Sequence, residues 1–497
     1  MEISTFLPTL TITISASLLA AMLATVAGFY LSYFAVFLRN KMGDAIVLIS
    51  TIYLVLNPIV QFNAIAELFR ETLHINPGND YWLVIIALIC RYFPIAFFIT
   101  YTAIKRTNTS LIEISLDLGA KRFFIFWNIV VSDIKKYIYL ALGFIFILCI
   151  GNVSTAIASG LRNTFYGSMV FNTFWNANTN IETIVLLLLP HLTLTIILFI
   201  CYNAYISDNA DKLKITGSGK ISKYKCLTVG KEPSTLIISG LILLFITLVL
   251  LTIITSSIDT YSKVTFRHFE NAFSNAELLD GMRTQFVIAV MASLIATIIG
   301  TALSLLTKRS KNTVKHYKTL LLPMLLSEML FAAVLVSLML LFGTNGHIGT
   351  PIVGMSLYLL IFASIFLASQ ARNMDRNLVS ASVELGATYF QTLYKVVLPS
   401  FLPSVASCFF IMFAIGFNEW TLSYCLTKHD AILAESILEY AMVSAPELYA
   451  IGTLLLLITT LCIALANTSK IYSKPMNVAK YIVIALMVGV AGGMLLM

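Results

Sequence analysis

Few residues in this chain are of a type and spacing that could do chemistry. Gly217-Ser218-Gly219-Lys220 imitates the end of a phosphate-binding loop, in which backbone amides and a Lys hold phosphates. The imitation fails at two positions: Lys214 stands where the first Gly must be, and Ile221 where Ser or Thr must hold magnesium. No other segment carries the pattern, so the chain is expected to hydrolyse nothing. His74, His268, His347 and His429 lack neighbouring ligands at metal spacing and read as plain loop histidines; no metal site is expected. The cysteines at 90, 149, 201, 226, 408, 425 and 462 fall mostly inside apolar runs without paired spacing, and read as small core residues. What remains is charge in costly places. Arg91 lies in Cys90-Arg91-Tyr92-Phe93-Pro94, Glu328 in Leu326-Ser327-Glu328-Met329 and Glu419 in Phe417-Asn418-Glu419-Trp420, each within an apolar run. A charge there costs roughly 2.5–3.5 kcal/mol on insertion scales, and usually faces a cavity or a partner. Arg91 could attract an anionic or anion-chelated solute, or sit in a structural ion pair. For all three residues, packing and helix–helix hydrogen bonding is the competing reading.

The elements that position these residues follow from composition. With 59% hydrophobic and 11% charged residues and a mean hydropathy of +0.89, the chain is expected to be an all-α polytopic membrane protein. Its apolar runs reach the ~20 residues that cross ~30 Å of hydrocarbon as a helix, and strand-like alternation is absent. A first unit of five spans is predicted at about 8–36, 44–65, 81–103, 137–158 and 183–206. Apolar runs at about 283–306, 318–342, 351–371, 403–425 and 447–468 repeat that pattern 267 residues later. An internal duplication is therefore expected: units at 1–206 and 275–473, a basic flexible linker at 207–234, and added spans at 235–255 and 480–497, giving about 12 helices. At the same offset, Asn152 pairs with Glu419, and the two are expected to face each other across a pseudo-twofold axis near an outer gate.

Within the repeat, one stretch is amphipathic and charged. The first copy runs from Glu113-Ile114-Ser115-Leu116-Asp117-Leu118-Gly119-Ala120 to Ser132, the second from Ser380-Ala381-Ser382-Val383-Glu384-Leu385-Gly386-Ala387 to Pro399. A helix, a turn permitted by Gly and a second helix give a hairpin too polar for lipid and too apolar on one face for water, so it needs a partner surface. Taking 37–43, 104–136, 207–234, 307–318, 372–402 and 469–480 as one side collects 25 of the 32 Lys and Arg residues. That asymmetry predicts both hairpins in the cytoplasm and both termini outside.

The stretch resembles the cytoplasmic coupling loop of permeases in binding-protein-dependent ABC importers, whose pattern is Glu-Ala-Ala, three residues, Gly, then about a dozen residues to Leu-Pro. The second copy keeps Gly386, Ala387 and Leu398-Pro399 but has Ser380-Ala381-Ser382 at its start; the first keeps Glu113 and Gly119 but ends in Val131-Ser132. Two fused units, and an Arg-aromatic-aromatic-Pro run ahead of the first loop, look most like the iron(III) group, whose relatives handle thiamine, phosphonates or polyamines. The resemblance implies a multi-pass permease of the bacterial inner membrane, partnered by two copies of an ABC ATPase and a periplasmic or extracellular solute-binding protein, with no nucleic acid. ATP and Mg would be bound by the ATPase, leaving this chain without a cofactor or catalytic residue. Glu113, Asp117, Gly119, Ala120, Glu384, Gly386, Ala387 and Pro399 would belong to the coupling loops; solvated helix caps are the plain alternative for the acids. Arg91, Asn152, Glu328 and Glu419 would line the solute pathway. A carrier driven by an ion gradient, with Arg91, Glu328 and Glu419 as its relay, is the alternative from another class.

Overall fold

The computed structural model describes residues 3–38, 41–75, 80–105, 107, 109–161, 164–176, 188–197, 200, 233–260, 263–309, 327–342, 349–373, 376–427, 433–443, 445–467, 482–488, 490–491 and 494. These are helical except for turns and one antiparallel ladder pairing Asp259–Thr260 with Lys263–Val264. Helix is what lipid demands, because only a helix or a closed barrel satisfies every backbone N–H and C=O within its own segment. Buried hydroxyls obey the same rule by turning back on their own helix, as Thr13 does to the Thr9 carbonyl at 2.8 Å and Thr25 to that of Ala21 at 2.7 Å.

Contacts divide the chain into two compact units. The first is Met1–Phe269 with Leu325–Leu330 and Tyr440–Thr453; the second is Glu270–Met324, Phe331–Glu439 and Leu454–Met497. In the first, helix Ile3–Leu38 packs against Asp80–Ile104 and Ser132–Ile150. The approach to Asp80–Ile104 is close because Gly28 has no side chain: a Cβ there would lie 2.6 Å from the Phe97 nitrogen and 2.7 Å from the Phe93 carbonyl oxygen. Ser32 and Thr100 hydrogen-bond at 2.8 Å across the same seam. Helix Pro233–Ile258 is tied to this unit by Tyr53, which donates to the Ile246 carbonyl at 2.8 Å.

In the second unit, helix Ala276–Arg309 packs against Gly349–Asn373 and Leu398–Asn418. Gln285 fixes that arrangement, donating from Nε2 to the Gly416 carbonyl at 2.8 Å and to Ser423 at 3.0 Å. Ser407 reaches the Ala466 carbonyl at 2.8 Å, and Asn418 reaches Thr459 at 2.9 Å, which brings in helix Glu447–Asn467.

Element bounds recur at the spacing read from sequence. Thr109–Asp117, Arg122–Ile125, Ser132–Ile150, Ser154–Ala158 and Tyr166–Asn176 are matched by Arg376–Glu384, Tyr389–Thr392, Leu398–Asn418, Thr421–Leu426 and Leu433–Met442. Seven helices among the described residues are long and apolar enough to cross a membrane, or eight if a bent pair counts as one span. The expected spans at 8–36, 81–103, 235–255, 283–306 and 351–371 lie within such helices, and that at 447–468 coincides with Glu447–Asn467 to within one residue. The segment 207–232 and much of the expected spans at 183–206, 318–342 and 480–497 lie outside the described residues.

Three expected spans are corrected in form. The one at 44–65 is two helices, with Met42–Val55 and Pro58–Thr72 meeting at 110°. Asn57 caps the second piece by accepting from the Ile59 and Val60 amides at 3.0 and 3.4 Å, and Pro58, lacking an N–H, follows it. Those at 137–158 and 403–425 likewise stop, at Ile150 and Asn418, before short helices Ser154–Ala158 and Thr421–Leu426. Hydropathy alone runs through these breaks because the capping residues are single polar side chains in apolar surroundings.

The Gly28 seam sets a clear expectation. Gly28→Val should destabilise the chain by about 1–3 kcal/mol, read as a lowered thermal midpoint in detergent; Gly240→Val, at a position with nothing within 4 Å, should leave that midpoint in place.

Candidate functional site

The two repeated stretches fold as the sequence pattern requires. In the first, helix Thr109–Asp117 ends at Leu118, and Gly119 takes φ +78°. The Gly119 amide donates to the Leu116 carbonyl at 3.0 Å and the Ala120 amide to Ser115 at 2.9 Å, the paired bonds of a Schellman turn. The second copy repeats each bond: Gly386 at φ +80°, its amide on Val383 at 2.9 Å, and the Ala387 amide on Ser382 at 3.1 Å. A Cβ on either glycine would meet nothing within 4 Å, so the demand for Gly comes from the left-handed backbone and not from crowding.

After each turn the chain re-enters a helix, at Arg122–Ile125 and Tyr389–Thr392, then passes through a π-helical segment, Phe126–Val131 or Leu393–Val397. Both lead without interruption into Ser132–Ile150 and Leu398–Asn418. Pro399 is the second residue of the latter, directly after the π-helical turn. In the first unit the inner face of the hairpin is anchored: Ile112, Ile125, Phe126 and Val130 pack with Tyr33, Phe37 and Ile104, and the Phe126 ring meets Tyr33 edge-on at 4.9 Å.

The outer faces are apolar and uncovered. Leu118 is 82% exposed, Leu385 88% and Phe390 75%, with Phe123, Trp127, Val383 and Tyr394 also exposed. The acids do not act as N-terminal caps: Asp117 and Glu384 are the last residues of their helices, are exposed, and oppose the negative end of the helix dipole. Glu113 lies midway along its helix, and its side chain is outside the described residues. Sequence reasoning picked the glycines and acids but passed over Leu118 and Leu385, although each sits between the matched acid and the matched glycine.

The intramembrane polar residues take different parts. Arg91, mid-way along Asp80–Ile104, donates from Nη1 to the Leu56 carbonyl at 2.7 Å and from Nη2 to Glu328 at 3.3 Å, with both side chains only 12–13% exposed. It is committed to an ion pair and to the carbonyl released at the Asn57 break. Asn152 accepts from the Thr155 amide at 3.2 Å, is bonded to the Thr155 hydroxyl, and donates to Tyr92 at 3.0 Å. Glu419 accepts from the Leu422 amide at 2.7 Å and the Ser423 amide at 3.4 Å. Asn152 and Glu419 therefore perform one task, capping the short helix after a broken span, each in its own unit. Arg91, Glu328 and Asn152 are brought into one neighbourhood through Tyr92, while Glu419 belongs to the other unit. Among the described residues no three His, Cys, Asp or Glu side chains are grouped to hold a metal.

Residues 318–472 match the family model described as the binding-protein-dependent transport system inner membrane component. The chain is similar to the spermidine/putrescine transport system permease protein PotC homolog of Mycoplasma pneumoniae, at 25% identity over 22% of this chain and 38% of that one. It is 26% identical to the spermidine/putrescine transport system permease protein PotC of Escherichia coli K12, over 39% of this chain and 75% of that one. It is also 24% identical to the Fe(3+)-transport system permease protein FbpB 2 of Haemophilus influenzae, over 70% of this chain and 68% of that one. The resemblance to permeases of binding-protein-dependent ABC importers, within the polyamine and iron group, is thus borne out.

Two outcomes follow from the geometry. Gly386→Val should speed hydrogen exchange at the Ala387 amide by breaking the turn, while Gly386→Asn, which tolerates the left-handed region, should preserve protection. Arg91→Met should cost about 3–5 kcal/mol of stability by leaving Glu328 buried without its cation, and Arg91→Met with Glu328→Leu should recover most of it, measured by chemical denaturation in mixed micelles.

Proposed function

We propose that this chain is the transmembrane permease of an ATP-driven importer, built by internal duplication of a five-span unit. It moves a small charged solute, handed over by a binding protein, into the cytoplasm. The observation that carries the reading is the pair of hairpins with the same Schellman turn, the same left-handed glycine and the same exposed leucine, 267 residues apart. An element with one face anchored in the bundle and the other apolar and bare is suited to a protein groove. Two of them suit two copies of one ATPase.

In this mechanism the hairpins lie in the cytoplasm and both termini lie outside. Closing of the ATPase pair on ATP moves the hairpins, and each continuous helix running from hairpin to span carries that motion into the bundle as a rigid body. Gly119 and Gly386 hold the turns, with Ala120 and Ala387 closing them; Glu113, Asp117 and Glu384 offer carboxylates to cations of the groove; Pro399 begins the second transmitting helix. ATP and Mg stay on the partner, and no covalent step occurs on this chain. For cargo, iron(III) and polyamines are both represented among the similar permeases, and the family resemblance of the sequence adds thiamine and phosphonate. The solute pathway runs past Arg91, Asn152, Glu328 and Glu419.

A carrier driven by an ion gradient is the second reading, favoured by the buried Arg91–Glu328 pair as a relay. Co-purification separates the two. The importer brings down an ABC ATPase, and replacing Gly119 and Gly386 together by Val abolishes that association while membrane insertion persists. A chain that transports alone, or an association indifferent to both glycines, overturns the proposal.

A further inference from the structure

Three of the buried polar side chains in the first unit, Gln61, Ser154 and His191, have unused hydrogen-bonding capacity. Gln61 is 0% exposed, and neither Oε1 nor Nε2 meets a partner among the described residues. The Ser154 hydroxyl and His191 Nε2, on residues 0% and 3% exposed, are in the same position. Burying such a group without a partner is unfavourable, and hydroxyls such as those of Thr13 and Thr25 avoid it by folding back onto carbonyls.

These residues sit on elements that converge. Helix Pro58–Glu67, which carries Gln61, packs against both Asp80–Ile104, which carries Arg91, and Ser154–Ala158. At Gly151, three residues before Ser154, a Cβ would run into both the Ser327 side chain and the His191 ring, so both side chains pack against Gly151, Ser327 directly before the Glu328 helix. Gln61 itself is one turn past the Asn57-Pro58 break, whose freed Leu56 carbonyl Arg91 holds. Irregular backbone at membrane depth is tolerated where it is buried in protein or lines a cavity, and transporter sites are typically built at such discontinuous helices. The spacing of the repeat adds an independent pointer: Glu328 stands 267 residues after Gln61.

We propose that Gln61, with Ser154 and His191, forms a hydrogen-bonding station for an organic polar cargo bearing amine, amide or hydroxyl groups. The inference rests on the importer reading and narrows its cargo. The three groups are uncharged donors and acceptors, and the one charge pair beside them is mutually compensated. A bare multivalent metal ion would find, among the described residues, no set of three ligating side chains. An organic solute can satisfy both ends of the Gln61 amide at once, which no single metal ion does.

The test uses the full chain in nanodiscs, with equilibrium binding of radiolabelled spermidine, and of ferric iron supplied as citrate. Saturable spermidine binding is expected, weakened about tenfold or more by Gln61→Leu, the loss of affinity for one good hydrogen bond. Ferric iron is expected to show no binding that depends on Gln61. Because Gln61→Leu removes a buried unpartnered amide, its thermal midpoint should equal or exceed that of the wild type, whereas a merely structural Gln would lower it. His191→Phe serves as a second variant with the same expected loss of binding. Spermidine binding that is absent or indifferent to Gln61→Leu, or ferric binding that depends on Gln61, overturns the proposal. ATPase co-purification, measured on the same preparations, reports separately on the importer reading.

Discussion

Hydrocarbon offers no hydrogen bonds, and that one constraint organises the protein. Wherever a helix runs unbroken its backbone is satisfied internally. Wherever it breaks, a side chain must substitute for the missing turn. Asn57, Asn152 and Glu419 do so at three breaks, and Arg91 does so for the Leu56 carbonyl. The polar residues that look like chemistry in an apolar sequence are largely the means by which spans are allowed to be discontinuous. The reward for discontinuity is shape: the 110° bend at Asn57-Pro58 turns a helix within the bundle, and polar groups collect around it.

The hairpins answer a different requirement. The first is anchored by aromatic packing on one side, and both leave apolar side chains bare on the other. Phe29 and Tyr33 hold the first hairpin to the long N-terminal helix through Phe126, with ring centroids 5.7 and 4.9 Å away. The acids at the helix ends, Asp117 and Glu384, lie at the negative end of the helix dipole.

Much of this was legible in the sequence. The 267-residue spacing placed both turns to the residue, because left-handed backbone admits few residues other than Gly, and the apolar runs placed six spans, because length and hydropathy are nearly sufficient for a straight helix. The breaks were less legible. Asn57 and Asn152 are ordinary polar residues whose capping role depends on where the helix stops, which hydropathy averages away. Arg91 reads equally as an anion attractor and as an ion-pair member; only geometry shows both its terminal guanidinium nitrogens engaged. Gln61 passed unnoticed because a neutral amide carries no flag, although the offset that linked Asn152 to Glu419 links Gln61 to Glu328 as well.

The π-helical segments give the hairpins one last property. Each wider turn admits a residue beyond the regular count, so the faces before and after it fall out of phase while the backbone stays a single continuous rod. The part that grips Tyr33 and the part that lines the bundle can thus point in unrelated directions without a loop between them. A loop would absorb a push as slack; a rod with an offset in its winding delivers that push at its far end as both displacement and twist.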